Sequence, residues 1–236
     1  MQALRKMQSL FAYSNENIGD KMKTHILFDL DGTLVNNAEG IVKCVYYALD
    51  ALGITEDEPE RLLNFIGPPL EDSFRDYYDL HDTGVKKAVE KYRERYKKRG
   101  VHECEVYPGI KEVLCALKEN GKTICLATSK PQVFAEKILK AHEIFDCFDI
   151  LVGASLDGTL QKKADVIRKV IKLAGVPVQE MIMVGDRHHD IDGAKECEMQ
   201  SVGVQYGFAE KMELEEAGAD FIAENMQELQ ELLLNC

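Results

Sequence analysis

His25-Ile26-Leu27-Phe28-Asp29-Leu30-Asp31-Gly32-Thr33 is the stretch whose reading decides the architecture. Residues 25–30 form a short apolar run that gives way to acidic and glycine residues, the pattern of a buried parallel strand stopping at a functional loop. The next strand of that type is expected only at residues 123–127. Between the two, apolar residues fall at helical spacing: Ile41, Val45, Ala48, Leu49 and Leu52, then Leu70, Phe74 and Tyr77, then Val85, Val89, Tyr92 and Tyr96. An inserted helical module is expected there. After Tyr107, Pro108 and Gly109 the pattern alternates. Helices are expected at 110–118, 131–140, 164–173 and 191–197, and strands at 123–127, 148–152, 181–184 and 201–204. Strands alternating with helices of this length imply an α/β fold with a doubly wound parallel sheet. Ligands in such sheets bind beyond the carboxyl ends of the strands, near a switch in strand order.

Polar residues gather at four of those strand ends. They are Asp29 to Thr33 after the first strand, Thr128-Ser129-Lys130 after the second, Lys163 beyond the third, and Gly185-Asp186-Arg187-His188-His189-Asp190 after the fourth. A parallel sheet brings such ends to one crevice. Carboxylates crowded there repel one another unless a hard cation sits among them, and an all-oxygen donor set favours magnesium over softer metals. Lys163 and the free backbone donors of the helix opening after Thr128 provide the matching field for an anion. Phosphate fits that mixture.

Composition narrows the class further. The 236 residues, 45% hydrophobic and 30% charged, suit a globular protein with one large domain, or one plus a smaller insert. A formal net charge of -12 opposes nucleic-acid backbones and anionic membranes, so neither is expected as a partner. The seven cysteines are scattered, without a Cys-x-x-Cys pair, and read as reduced thiols of a cytoplasmic protein. No apolar stretch is long enough for a membrane span, and residues 1–22 read as a polar, aperiodic N-terminal extension. Oligomeric state is not legible.

Asp-x-Asp-Gly-Thr, a strand-terminal Thr or Ser, a Lys, and Gly-Asp-x-x-x-Asp occur in an order and spacing that resemble the haloacid-dehalogenase-like phosphohydrolases, over about Lys23 to the C-terminus. Phe65-Ile66-Gly67-Pro68-Pro69-Leu70 and Thr128-Ser129-Lys130-Pro131 resemble the phosphoglycolate phosphatase and 5'-nucleotidase branch. The resemblance implies a Rossmann-like core at residues 23–35 and 106–236 with a helical cap at 36–105. It further implies a phosphomonoester hydrolase acting on a small phosphorylated metabolite, phosphoglycolate or a nucleoside monophosphate among the options. Asp29 would be the nucleophile. Side chains two apart on an extended segment share a side, so Asp31 would reach the leaving oxygen as general acid and then base.

By the same resemblance, magnesium would be held by Asp29, the Asp31 backbone carbonyl, Asp186 and Asp190. Gly32, Thr128, Ser129 and Lys163 would take the phosphoryl oxygens, with Lys163 preferred to Lys162 by a family-like Lys-Ala at the helix start. Lys43, Phe65 and Arg75 are the cap candidates for gripping the leaving group. A phosphomutase of the beta-phosphoglucomutase kind shares these motifs, and a non-catalytic binding protein could keep the fold. The latter is disfavoured because none of Asp29, Asp31, Lys163 or Asp186 is lost.

Other readings of these residues are weaker. A calcium loop starting at Asp29 would need glycine where Leu34 stands and a helix where the strand precedes it. Leu156 to Leu160 imitate the first motif, but Ser155 occupies the nucleophile's place, so a substrate-side loop is expected. His188 and His189 lack a third soft ligand nearby and read as exposed loop residues. Residues 86–99 alternate charges with tyrosines and read as a solvated cap helix.

Overall fold

The computed structural model describes residues 22–236. The expected extension therefore lies outside the described residues, apart from Met22. Six parallel strands form the main sheet: β1 (His25–Phe28), β4 (Thr123–Pro131), β5 (Ile150–Ala154), β6 (Met181–Gly185), β7 (Gln200–Val204) and β8 (Phe221–Ala223), in the order β5-β4-β1-β6-β7-β8. The order reverses at β1, which pairs with β4 on one side and β6 on the other, Phe28 lying opposite Leu126 and Val184. The crevice predicted at the switch point thus opens beyond Phe28.

Alternation along β1 explains why a four-residue strand can hold the centre of the molecule. Ile26 and Phe28 join one apolar cluster with Ile124, Leu126, Ile182 and Val184, while Leu27 joins another with Cys125, Ala127, Met181 and Met183. All three β1 residues are fully buried. The second cluster is closed by Val166, Ile167 and Val170 of α6 (Lys163–Ala174) and Ala194 of α7 (His188–Glu196). The first is covered by α4 (Ile110–Glu119), α5 (Gln132–Ala141) and α9 (Met226–Asn235).

Two short strands, β2 (Val35–Asn36) and β3 (Glu105–Val106), pair antiparallel, and the chain between them is helical. It contains α1 (Ala38–Asp50), a 3-10 stretch at Pro59–Phe65, α2 (Leu70–Tyr78), α3 (Asp82–Lys98) and a short 3-10 turn at Gly100–His102. Ile41, Val45, Phe74, Val89 and Tyr96 bury into the same apolar cluster as the sheet. The inserted helices are therefore seated on the core by continuous packing.

The structure departs from the sequence expectation at several element boundaries. β4 runs on to Pro131, because Pro131 pairs with Ala154 across an irregularity after Thr128. The next helix starts only at Gln132, so Thr128 lies in an irregular strand end and not at a helix N-terminus. α7 begins at His188 instead of Ile191, since the Arg187 N–H donates to Asp190 Oδ2 at 3.2 Å and closes the first turn earlier. β8, α8 (Glu213–Ala217) and α9 lie beyond the last element anticipated.

Candidate active site

β1 carries Asp29 to the switch point. Its backbone N–H donates to the Val184 carbonyl at 2.9 Å, and its side chain is 8% exposed. The chain then folds back on itself, with the N–H groups of Leu34 and Val35 donating to the Leu30 carbonyl. Gly32 sits in this turn at a φ of +82°, and a Cβ there would overlap the Asp186 carboxylate. The glycine lets the first and fourth motifs touch.

Asp186 is fully buried at the end of β6. Its oxygens accept hydrogen bonds from Thr33 Oγ1 at 3.1 Å and from the Phe208 N–H at 2.8 Å. Burial, followed by the charges of Asp190 and Asp29, raises its pKa well above the usual carboxylate range. Asp190, in the first turn of α7, is also buried, and burial pushes it up to about 6 despite the opposing Lys163 ammonium. One oxygen each from Asp29, Asp186 and Asp190 lies within 4.8 Å of the others.

Lys163, the first residue of α6, ties the motifs together. Its Nζ lies 2.7 Å from Asp29 Oδ1 and 2.7 Å from Asp190 Oδ1, and donates to the Ala127 carbonyl at 3.0 Å. Burial would lower its pKa, but the two carboxylates outweigh burial and hold the ammonium charged. Lys162 points into solvent. Thr128 is 1% exposed at the β4 end, and its Oγ1 accepts from the Lys130 N–H at 3.1 Å.

Asp31 lines a cavity of about 90 Å³ together with Phe65, Pro68, Tyr92, Tyr96 and Ser129. Burial first, and then the Asp29 charge, raise its pKa, while Lys130 works against both. Of the three residues proposed to grip a leaving group, Phe65 lines this cavity and Lys43 and Arg75 do not. Lys43 pairs with Glu39 and lies 3.6 Å from Glu103, and Arg75 is paired with Asp72 and Asp82 on the outer surface. Ser155 also lines the cavity, whereas Asp157 is fully exposed and accepts from the Thr159 N–H in a local turn.

The two histidines are not loop residues. They open α7 half-buried, their ring centroids 3.8 Å apart, with His188 Nδ1 2.7 Å from Glu213 Oε1. Burial holds His189 neutral, its pKa lowered to about 4. Two functional neighbours carried no assigned role in the sequence reading. Arg187 donates to the Ile66 carbonyl in the inserted module at 2.9 Å and to Glu213 at 2.9 Å. Lys130 contacts Asp31 Oδ2 at 2.5 Å. The Thr-Ser-Lys-Pro phrase was the only sequence signal for Lys130, and nothing local marked Glu213 as the partner of Arg187.

A doubly wound sheet with an acidic, lysine-bridged crevice at its switch point and a helical module over it defines a phosphoryl-handling α/β hydrolase. A family model of haloacid dehalogenase-like hydrolases matches residues 26–204, and the chain belongs to that family. It is an enzyme of the phosphatase class. A 5'-nucleotidase of Pseudomonas aeruginosa is 44% identical over 191 residues, covering 80% of this chain and 86% of that protein. The crystal structure of a predicted phosphatase from Clostridium acetobutylicum superposes with a TM-score of 0.88 at 40% identity, covering 92% of this chain and all of the other (100%). The tyrosine-protein kinase PtkA of Mycobacterium tuberculosis is 33% identical over 183 residues, covering 78% of this chain and 62% of that protein. Among the described residues no helix is long and apolar enough to cross a membrane.

Proposed function

We propose that this chain is a magnesium-dependent phosphomonoester hydrolase that transfers the phosphoryl group of a small metabolite to Asp29 and then to water. Residues 36–105 act as the cap, over a core of 23–35 and 106–236. The observation that carries this reading is the buried triad of Asp29, Asp186 and Asp190, two of which, Asp29 and Asp190, are bridged by Lys163 Nζ. A nucleophile and a cation site coincide there.

The donor set fits a hard divalent cation. Its side-chain donors are three buried carboxylates, and the single ammonium of Lys163 leaves their negative charge unbalanced. Asp29, Asp186, Asp190 and the Asp31 backbone carbonyl would hold the ion. Magnesium bound there supplies neutralising charge for the phosphoryl oxygens.

Lys163 holds Asp29 by Oδ1, which supports a fixed carboxylate facing phosphorus. Asp29 attacks phosphorus as the bond to the leaving oxygen breaks, and Asp31 gives that oxygen a proton. Asp31, now ionised, takes a proton from water as the water oxygen bonds to phosphorus and the Asp29–phosphorus bond breaks. The raised pKa of Asp31 suits both duties. Thr128, Ser129, Gly32 and Lys163 orient the phosphoryl oxygens, and the seated cap excludes water.

The small cavity beside Asp31 is where the leaving group would sit, and phosphoglycolate and a nucleoside monophosphate are the first substrates to try. The test is phosphate release by wild-type and Asp29→Asn protein over a panel of glycolate, nucleotide and sugar phosphates, with magnesium and with chelator. Magnesium-dependent release that is absent in Asp29→Asn is expected. Release that survives this substitution rules Asp29 out as nucleophile, and phosphoryl exchange between sugar phosphates without net release would favour the mutase.

A further inference from the structure

Lys130 is buried at the irregular end of β4, its side chain 6% exposed, yet it is an ammonium. Among the described residues its one anionic partner is Asp31, whose Oδ2 lies 2.5 Å from Nζ. The ammonium also stands 5.0 Å from the centroid of the Tyr96 ring, which stacks on Tyr92 at 5.5 Å and 11°. Asp31, Lys130, Tyr92 and Tyr96 all border the same cavity, and among the described residues Asp31 Oδ1 is buried there without a hydrogen bond of normal geometry, the Asn37 side chain being the neutral neighbour of that carboxyl.

Buried ion pairs seldom stabilise a fold more than apolar residues of the same shape, so stability alone gives Lys130 no reason to be charged. Its geometry gives one. Lysine ammonium is a donor only, and a carboxyl oxygen pressed against it can accept but cannot itself carry a proton toward it. Oδ2 is thereby excluded as the proton-bearing atom, which leaves Oδ1.

We infer that Lys130 is a positioning residue for the reaction, holding Asp31 by Oδ2 so that Oδ1 alone exchanges protons with the leaving group and the water. Tyr96 belongs to α3 of the inserted module, and its ring backs the ammonium with a cation–π contact. Seating of that module and alignment of Asp31 are thus linked through one side chain. The inference rests on the reading of Asp31 as general acid and base.

Two substrates of similar shape separate that reading from this one. Phenyl phosphate releases a basic phenolate that needs a proton, whereas 2,4-dinitrophenyl phosphate releases a stable anion that does not. With Lys130→Met, kcat/KM is expected to fall by about 10²-fold or more for phenyl phosphate and by less than about threefold for the dinitrophenyl ester. Asp31→Asn should show the same selectivity, and Lys130→Met should add little on top of it, because the lysine acts through the aspartate. Lys130→Arg, still a donor, should recover part of the loss.

Equal losses on both esters in Lys130→Met, with Asp31→Asn still selective, would overturn the role of Lys130 and leave that of Asp31 standing. No selectivity in Asp31→Asn would overturn both. Thermal melts and circular dichroism of Lys130→Met and of the shorter polar variant Lys130→Gln separate a lost fold from a lost position, and the kinetics are read on whichever variant keeps the wild-type spectrum.

Discussion

A Cβ added at Gly32 would lie 2.0 Å from Asp186 Oδ2, on a backbone whose φ is +82°. Gly32→Ala is therefore expected to cost roughly 1–3 kcal/mol in a urea melt and to depress phosphate release by moving Asp186. An unchanged melt would mean that the turn has more room than the structure allows it. Thr33 acts on the same carboxylate from its other oxygen. Thr33→Val removes the 3.1 Å hydrogen bond to a fully buried acceptor, for an expected loss of about 1–3 kcal/mol. At this scale much of the site was legible, since Asp29, Asp31, Gly32, Thr128, Ser129, Lys163, Asp186 and Asp190 were all singled out from strand-end polarity and motif spacing, and the structure gathers them at one crevice. What was not legible is which cap side chains reach it. Lys43, Phe65 and Arg75 looked alike in the sequence, and only packing turns Phe65 inward while acidic neighbours hold the other two outside.

Between elements, the start of α7 is joined to the inserted module by one guanidinium. Arg187 reaches the Ile66 carbonyl, and Glu213 of α8 holds it from behind while also accepting from the His188 N–H at 2.8 Å. Burial alone would raise the pKa of Glu213, but the hydrogen bonds from His188 and Arg187 bring it down to about 2. A depressed carboxylate stabilises the fold above its ordinary value of 4.5 and loses that contribution as pH falls toward about 2. Glu213→Gln should therefore be less stable than wild type by about 1.5–3 kcal/mol at pH 7, with the gap closing below about pH 4.5. Urea melts across that range check it, and a gap that stays constant with pH would contradict the assignment.

For the whole molecule, the cation site proposed between β1, β6 and α7 would link metal binding to folding. Magnesium at 100 times its dissociation constant should add about 2.7 kcal/mol of stability, an upward Tm shift of roughly 5–10 °C for a chain of this size. The shift should vanish with chelator and in Asp186→Asn, and can be followed by thermal melting without any substrate. An equal shift in Asp186→Asn would place the ion elsewhere.

The sequence by itself determined the fold class, the central place of the first strand and the polar residues that meet at the crevice. Those properties are local: a period-2 or period-3.6 pattern and the polar residues at strand ends are written within a dozen neighbouring positions. Only the tertiary structure decided the strand order around β1, the extension of β4 to Pro131 and the pairing of Lys130 with Asp31. Each depends on groups far apart in the chain, Pro131 with Ala154 or Lys130 with Asp31, whose meeting is set by which faces bury together, and no local pattern encodes it.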